Sequence, residues 1–268
     1  MNIHRLVVKV GTSTLTHPSG ALDLRAMDWL IRVLADLSGR GLEVILVTSG
    51  AIAVGTARMG LPARPQALAI KQAAAAVGQG RMMHLYDKLF AEYNRTMAQI
   101  LLTGEDVGDA RRAEHLLGTF QALLGLGIIP VVNENDSVSA AEIETGEHKV
   151  LGDNDTLSAM VAALCRADLL ILLSDIDGLF SADPRTDSTA RLLPVVEELS
   201  PEILRMAGGA GSWRGTGGMA TKLSAAKIAM EAGCDMVITN GARPEDIYQI
   251  VEGKPVGTRF VGKRRESV

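Results

Sequence analysis

Two lysines and a cluster of glycines carry the strongest chemical signal in this chain. The stretch SWRGTGGMATK, residues 212–222, places Gly215, Gly217 and Gly218 just ahead of LSAAKIAMEAG, a run with helical character. Glycine lets a backbone approach a ligand closely because no Cβ intervenes. A helix starting near Met219 turns backbone N–H groups, and about +0.5 elementary charge, toward whatever lies before it. Lys222, one turn in, reaches back over that start. The spelling is not the G-x-x-x-x-G-K-[ST] phosphate loop, because Lys222 follows Thr221 rather than a glycine. The physics is still that of a phosphate site. The second lysine, Lys9, lies inside RLVVKV (5–10), one residue before the last valine of an otherwise apolar run. An ammonium there is costly to bury without an anion, unless its stem snorkels out to solvent. Two lysines from opposite ends of the chain, converging on one phosphoryl group, would supply the charge stabilisation that phosphoryl transfer needs, with no protein nucleophile.

The elements that must position these lysines alternate along the whole chain. Apolar runs at 5–10, 43–50, 98–103, 128–136, 168–174 and 235–240 read as strands. Helical spacing marks 22–39, 67–92, 111–124, about 155–166, a helix from about 219, and 244–252. The strands are apolar throughout rather than at every second residue, the signature of a parallel sheet covered on both faces. No repeat or flexible linker interrupts the pattern, so one compact α/β unit is predicted. In such sheets ligands bind beyond the carboxyl ends of the strands.

Three more strand ends carry polar residues. VTSGAIAVG stops a strand at Ser49 and Gly50 and opens a helix with small residues, which suits a carboxylate or phosphate, although an ordinary N-cap serine reads the same way. In VVNENDSVS, the residues Asn133, Glu134, Asn135 and Asp136 are predicted to follow a strand directly, and in GDNDTLSA, Gly152 to Asp155 start a helix. These acids and amides can bind an ammonium group, hydrogen-bond a substrate or order cationic side chains. Turn chemistry explains one such cluster, less readily two bracketing a loop. The spacing lacks the downstream ligands of a calcium loop. In LLILLSDIDGLFSADPRTD a strand ends at Ser174 and Asp175, with turns at Asp177-Gly178 and ADPR (182–185). That loop either cradles a nucleotide or is a polar connection.

Composition narrows the partners. With 268 residues, 47% of them hydrophobic, the chain can bury a sizeable core. A net charge of −4 with interspersed signs, and only 3% aromatics, argue against a nucleic-acid surface. Cys165 and Cys234 stand far apart in apolar surroundings and outside any C-x-x-C, which predicts buried reduced thiols in a cytoplasmic protein. No apolar run is long enough to span a bilayer, and the N-terminus has no signal-peptide core.

Taken in order, VVKVGTSTLT, VTSGAIAVG, PVVNENDSV, GDNDTLSA, LLSDIDGLF, ADPR and GTGGMATKL resemble the amino acid kinase family over essentially the whole chain. VTSGAIAVG with NEND and GTGGMATK is similar to the members that phosphorylate glutamate rather than acetylglutamate, aspartate or uridylate. The resemblance implies a three-layer α/β/α sandwich around a mainly parallel sheet, with glutamate bound in about residues 1–160 and the nucleotide in about 161–268. It implies that ATP, with Mg²⁺, phosphorylates the γ-carboxylate of L-glutamate, opening proline biosynthesis, with proline as feedback inhibitor and a homo-oligomer of two or four subunits. By matching position, Lys9 and Lys222 would stabilise the transferring group and Asp155 would orient them. Ser49, Gly50, Asn133, Asp136 and Asn154 would hold glutamate. Lys9, Ser174, Asp175, and Thr216, Gly217, Gly218, Met219, Ala220, Thr221 and Lys222 would hold ATP. No side chain is expected to ligate the metal. Many family members continue into a C-terminal PUA domain. This sequence stops at GTRFVGKRRESV, so the form without it is expected. The run EIETGEHKVLGDND is longer than the family's usual approach to GDND, so the loop at 142–151 is expected to bear on inhibition or subunit contacts.

Overall fold

The computed structural model describes residues 3–139, 154–207 and 218–263. Within them the strands are β1 (Arg5–Val10), β2 (Glu43–Val47), β3 (Met97–Leu102), β4 (Ile129–Glu134), β5 (Leu169–Ser174), β6 (Val195–Val196), β7 (Asp235–Asn240) and β8 (Thr258–Phe260). The helices are α1 (Thr12–Leu15), α2 (Leu24–Gly39), α3 (Ala51–Arg58), α4 (Leu68–Glu92), α5 (Gly104–Gly108), α6 (Ala110–Gly125), α7 (Asn154–Leu164), α8 (Pro201–Ala207), α9 (Met219–Glu231) and α10 (Asp246–Val251).

The strands form one eight-stranded sheet in the order β3-β4-β2-β1-β5-β7-β8-β6. Every pairing is parallel except β7 with β8. The apolar strands demand cover on both faces, and they have it. Leu6, Val8 and Val10 of β1 belong to a core with Met27 and Leu30 of α2, Met82 and Tyr86 of α4 and Ile247 of α10. Val7, between them, belongs to a second core with Phe120 of α6, Leu157 of α7 and Leu223 of α9. Alternation along one strand thus feeds two separate cores, as strand geometry requires, and the predicted α/β/α sandwich is what forms. Lys9 shares the parity of Val7 and so belongs on the α7 and α9 side.

The chain winds outward from β1 in both directions, to β2 and β4 on one side and to β5 and β7 on the other. Such a switch in winding opens a crevice beyond the carboxyl ends of the two central strands. The helix and strand expectations hold to within a few residues. Two details differ. Asn133 and Glu134 are the last two residues of β4, paired with Leu101 and Leu102 of β3, rather than a turn after it. The strand persists because a parallel ladder uses backbone groups only and tolerates a polar side chain at its end. The sheet also continues through β8 and the two-residue β6, too short to leave a period in the sequence.

Candidate active site

Helix α7 opens with Asn154 and Asp155, and these adjacent residues reach two different groups. Asp155 is wholly buried. Its Oδ1 lies 2.5 Å from Lys9 Nζ, and its Oδ2 accepts a hydrogen bond from Lys222 Nζ at 3.1 Å. Lys9 is 8% and Lys222 6% exposed, so both ammonium groups are drawn out of bulk water onto one carboxylate. Strand β1 supplies the first from beneath, and α9, one turn past its start, supplies the second. Burial pushes the Asp155 carboxyl up. The charge of Lys9, then that of Lys222, and their hydrogen bonds outweigh it and hold the group below its ordinary value. Thr221 closes the corner: its hydroxyl donates to the Gly218 carbonyl at 2.7 Å and also lies 3.3 Å from Asp155 Oδ2.

Asn154 faces the other way. Its Nδ2 donates to Ser49 Oγ at 2.7 Å and to Asn133 Oδ1 at 3.3 Å. Asn133 Nδ2 in turn donates to Gln79 Oε1 at 2.7 Å. Ser49 follows β2, and Gly50 after it adopts φ 105°, a left-handed conformation that favours glycine, as it caps α3. Helices α3 and α4 then meet backbone to backbone: a Cβ on Gly78 would lie 1.8 Å from the Ala51 carbonyl oxygen, and one on Gly55 1.7 Å from that of Ala74. This contact brings Gln79 beside the Ser49 corner. Gln79 was not among the residues picked from the sequence. The available signal was a lone amide in the buried face of an alanine-rich helix, beside a glycine.

The structure therefore brings together Lys9, Lys222 and Asp155 in one cluster, and Ser49, Asn133 and Asn154 in a second, joined through the first two residues of α7. Asp136 is half-buried just past β4. Ser174 ends β5, two residues beyond Leu172, the register partner of Lys9. Its hydroxyl donates to Asp175 Oδ1 at 3.2 Å, and Asp175 faces Arg185 of the ADPR turn at 3.7 Å. Ser174 and Asp175 line a cavity of about 470 Å³ with Ser13, Thr14, Asn240 and Gly241. Gly218, Met219, Ala220 and Thr221 form the start of α9. Thr216, Gly217 and the 142–151 loop lie outside the described residues.

Residues 4–240 match the profile of the amino acid kinase family. The chain belongs to the amino acid kinase family. Among its relatives, the glutamate 5-kinase of Carboxydothermus hydrogenoformans is 54% identical, over 99% of this chain and 70% of that protein. The glutamate 5-kinase of Clostridium acetobutylicum is 52% identical, over 98% of this chain and 97% of that protein. Among solved structures, carbamate kinase from Giardia lamblia bound to AMP-PNP superposes with a TM-score of 0.67 at 16% identity, covering 98% of this chain and 99% of that one. UMP kinase from Bacillus anthracis gives 0.65 at 14%, covering 99% of each. These two share the fold.

For an amino acid kinase, the donor set around the lysines bears on the metal. Among the described residues no group of three histidines, cysteines or acids lies close enough to hold an ion. Both oxygens of Asp155 face ammonium groups. The Asp155 carboxylate is committed to the two lysines. Both cysteines are buried thiols outside any disulfide, and burial pushes the Cys165 thiol up to about 12, far from a nucleophile. Among the described residues no helix is long and apolar enough to cross a membrane.

Proposed function

We propose that this chain is a glutamate 5-kinase, which transfers the γ-phosphoryl group of ATP to the γ-carboxylate of L-glutamate and gives L-glutamyl 5-phosphate and ADP, the first step of proline biosynthesis. The observation that carries the reading is the pair of buried ammonium groups gathered on Asp155, one residue from the Asn154–Ser49 contact. A carboxylate oxygen of glutamate attacks the γ-phosphorus, the bond to the β,γ-bridging oxygen breaks, and the electron pair leaves with ADP. The nucleophile is already ionised at neutral pH, so the step needs no general base. What it needs is alignment and neutralisation of the charge spread over the equatorial oxygens.

In this reading Lys9 and Lys222 contact the transferring group from two sides, and Asp155 keeps them aimed at it. Ser49, Gly50, Asn133, Asp136 and Asn154 bind glutamate, in a part of the chain reaching to about residue 160. The remainder binds ATP, through Ser174, Asp175 and the segment from Thr216 to Lys222. Magnesium arrives with ATP. We further propose feedback inhibition by proline, assembly into dimers or tetramers, and a cytoplasmic location, on the strength of the relatives' identity.

The test traps the acyl phosphate. With ATP, magnesium and hydroxylamine, the enzyme converts L-glutamate to its γ-hydroxamate, read by the ferric colour, and leaves aspartate, acetylglutamate and carbamate unreacted. Hydroxamate from another acceptor but none from glutamate would reassign the substrate. ATP binding without turnover on any acceptor would remove the kinase reading. Repeating the assay with proline tests the inhibition.

A further inference from the structure

Gln79 ends a chain of amides that begins at the lysines. Counted outward from the ammonium groups, the order is Asp155, Asn154, Asn133, Gln79. Gln79 is 8% exposed, and its Oε1 is committed to Asn133 Nδ2 at 2.7 Å. Its other prong, Nε2, is a buried donor without a hydrogen-bond partner among the described residues. An unsatisfied buried amide donor costs about 1–3 kcal/mol, so a group left in that state calls for a partner that completes it. The glycine contact between α3 and α4 holds Gln79 beside the Ser49–Gly50 corner.

We propose that Gln79 is a specificity-determining residue whose Nε2 donates to the α-carboxylate of the acceptor. This rests on the glutamate kinase reading above. The choice of carboxylate follows from the order of the chain. The reacting γ-carboxylate must lie at the lysine end. An extended five-carbon acceptor then carries its α-carboxylate toward the opposite end, where Gln79 stands. An N–H donor is complementary to a carboxylate oxygen and useless to an ammonium group. At the nearer link, Asn154 Oδ1 is a buried acceptor without a partner among the described residues, suited to the neighbouring α-ammonium. A donor and an acceptor in one amide chain match the two charges of an amino-acid head group.

Gln79→Glu separates this role from a structural one. The variant keeps the side chain's shape and the oxygen that accepts from Asn133, and replaces only the donor. The KM for glutamate should rise about 10- to 100-fold, the worth of a hydrogen bond to a charged group, with KM for ATP unchanged. The α-amide of glutamate, whose γ-carboxylate is intact, should behave oppositely. It should be a poor acceptor for the wild type and should lose its disadvantage in Gln79→Glu, because its amide donates to the carboxylate introduced. If the variant does not fold, the wild type still decides: glutamate must be preferred over its α-amide by about 10-fold or more. An unchanged glutamate KM in Gln79→Glu, or an equal penalty on both acceptors, would overturn the proposal and leave Gln79 as a support for Asn133. Wild-type enzyme that makes no glutamyl hydroxamate would overturn the kinase reading instead.

Discussion

Asp155 and the lysines it joins should respond to mutation asymmetrically. Each lysine shares Asp155 with the other, at 2.5 and 3.1 Å, and all three side chains are nearly or wholly buried. Replacing Lys9 by Met removes one ammonium and leaves Asp155 paired with Lys222, a neutral pair behind an apolar side chain of similar length. Because the group that remains is charge-balanced rather than an uncompensated ion, the cost should stay below that of stranding a buried charge. Replacing Asp155 by Asn instead strands two buried cations beside each other. Removing one partner from a buried pair costs about 3–5 kcal/mol. Against a total stability of about 5–15 kcal/mol that is a large share, and for a chain of this size it lowers the melting temperature by about 6–20 °C. No discount for solvent screening applies, because Asp155 has no exposed surface. Turnover follows a different order. Lys9→Met should lose about 10²–10³ in kcat, the cost of one preorganised charge-stabilising donor. Asp155→Asn should lose as much, since both lysines are then free to turn from the phosphoryl position. The assay is a urea melt of each purified variant at pH 7, set beside hydroxamate turnover at saturating glutamate. If Asp155→Asn melts with Lys9→Met, the three groups do not form the electrostatic unit described. If Lys9→Met keeps wild-type turnover, the lysine does not serve the reaction.

Further outcomes are open to the same tools. Asp136→Ala should raise the KM for glutamate about tenfold at nearly constant kcat, as for a residue that binds substrate equally in ground and transition states. An unchanged glutamate KM would take Asp136 out of the acceptor pocket. Gly78→Ala puts a Cβ 1.8 Å from the Ala51 carbonyl. It should destabilise the protein by about 1–3 kcal/mol or more and raise the glutamate KM through displacement of the Ser49 corner, read by thermal melt and kinetics together. The carboxyl of Asp155 is held below its ordinary value of 3.8. Its contribution to stability is complete above that value and is lost as pH falls through the lower folded one. The stability gap between wild type and Asp155→Asn should accordingly narrow in acid below pH 3.8, and a gap that widens there would reverse the sign of the argument.

Much of this was legible because function breaks the local rules of the fold. A lysine inside an apolar strand has no structural motive, so Lys9 stood out, and a glycine-led helix start made Lys222 its natural counterpart. The pairing itself came only through the family resemblance: nothing in spacing shows that Lys9 and Lys222 meet through Asp155, whose place comes from α7 packing beside β1. Asn133 was placed just past the end of its strand, whereas here the parallel ladder runs on and its side chain joins the amide chain. Gln79 was passed over because a glutamine in a helix carries no strain in sequence terms. Its cost appears only once the helix is packed and the donor is seen to be buried. The short strands β8 and β6 at one end of the sheet were missed for want of length.

The two clusters are joined by covalent geometry rather than by a flexible loop. Asn154 and Asp155 are neighbours in the first turn of α7, and the helix they begin is buried in the second core through Leu157, Ala159, Val161 and Ala162. The distance between the proposed acceptor pocket and the lysines is therefore fixed by one peptide unit and a rigid helix. A phosphoryl transfer between two bound substrates depends on that distance, since reacting atoms must be held about 3–3.5 Å apart and aligned. Loosening α7 from its core should then lower kcat without weakening either substrate's binding in proportion. Val161→Ala, remote from both ligands, tests this. It should cost about 0.5–3 kcal/mol of stability, together with a fall in kcat larger than any change in either KM. A variant that melts earlier yet turns over at the wild-type rate would show that the helix does not set the spacing.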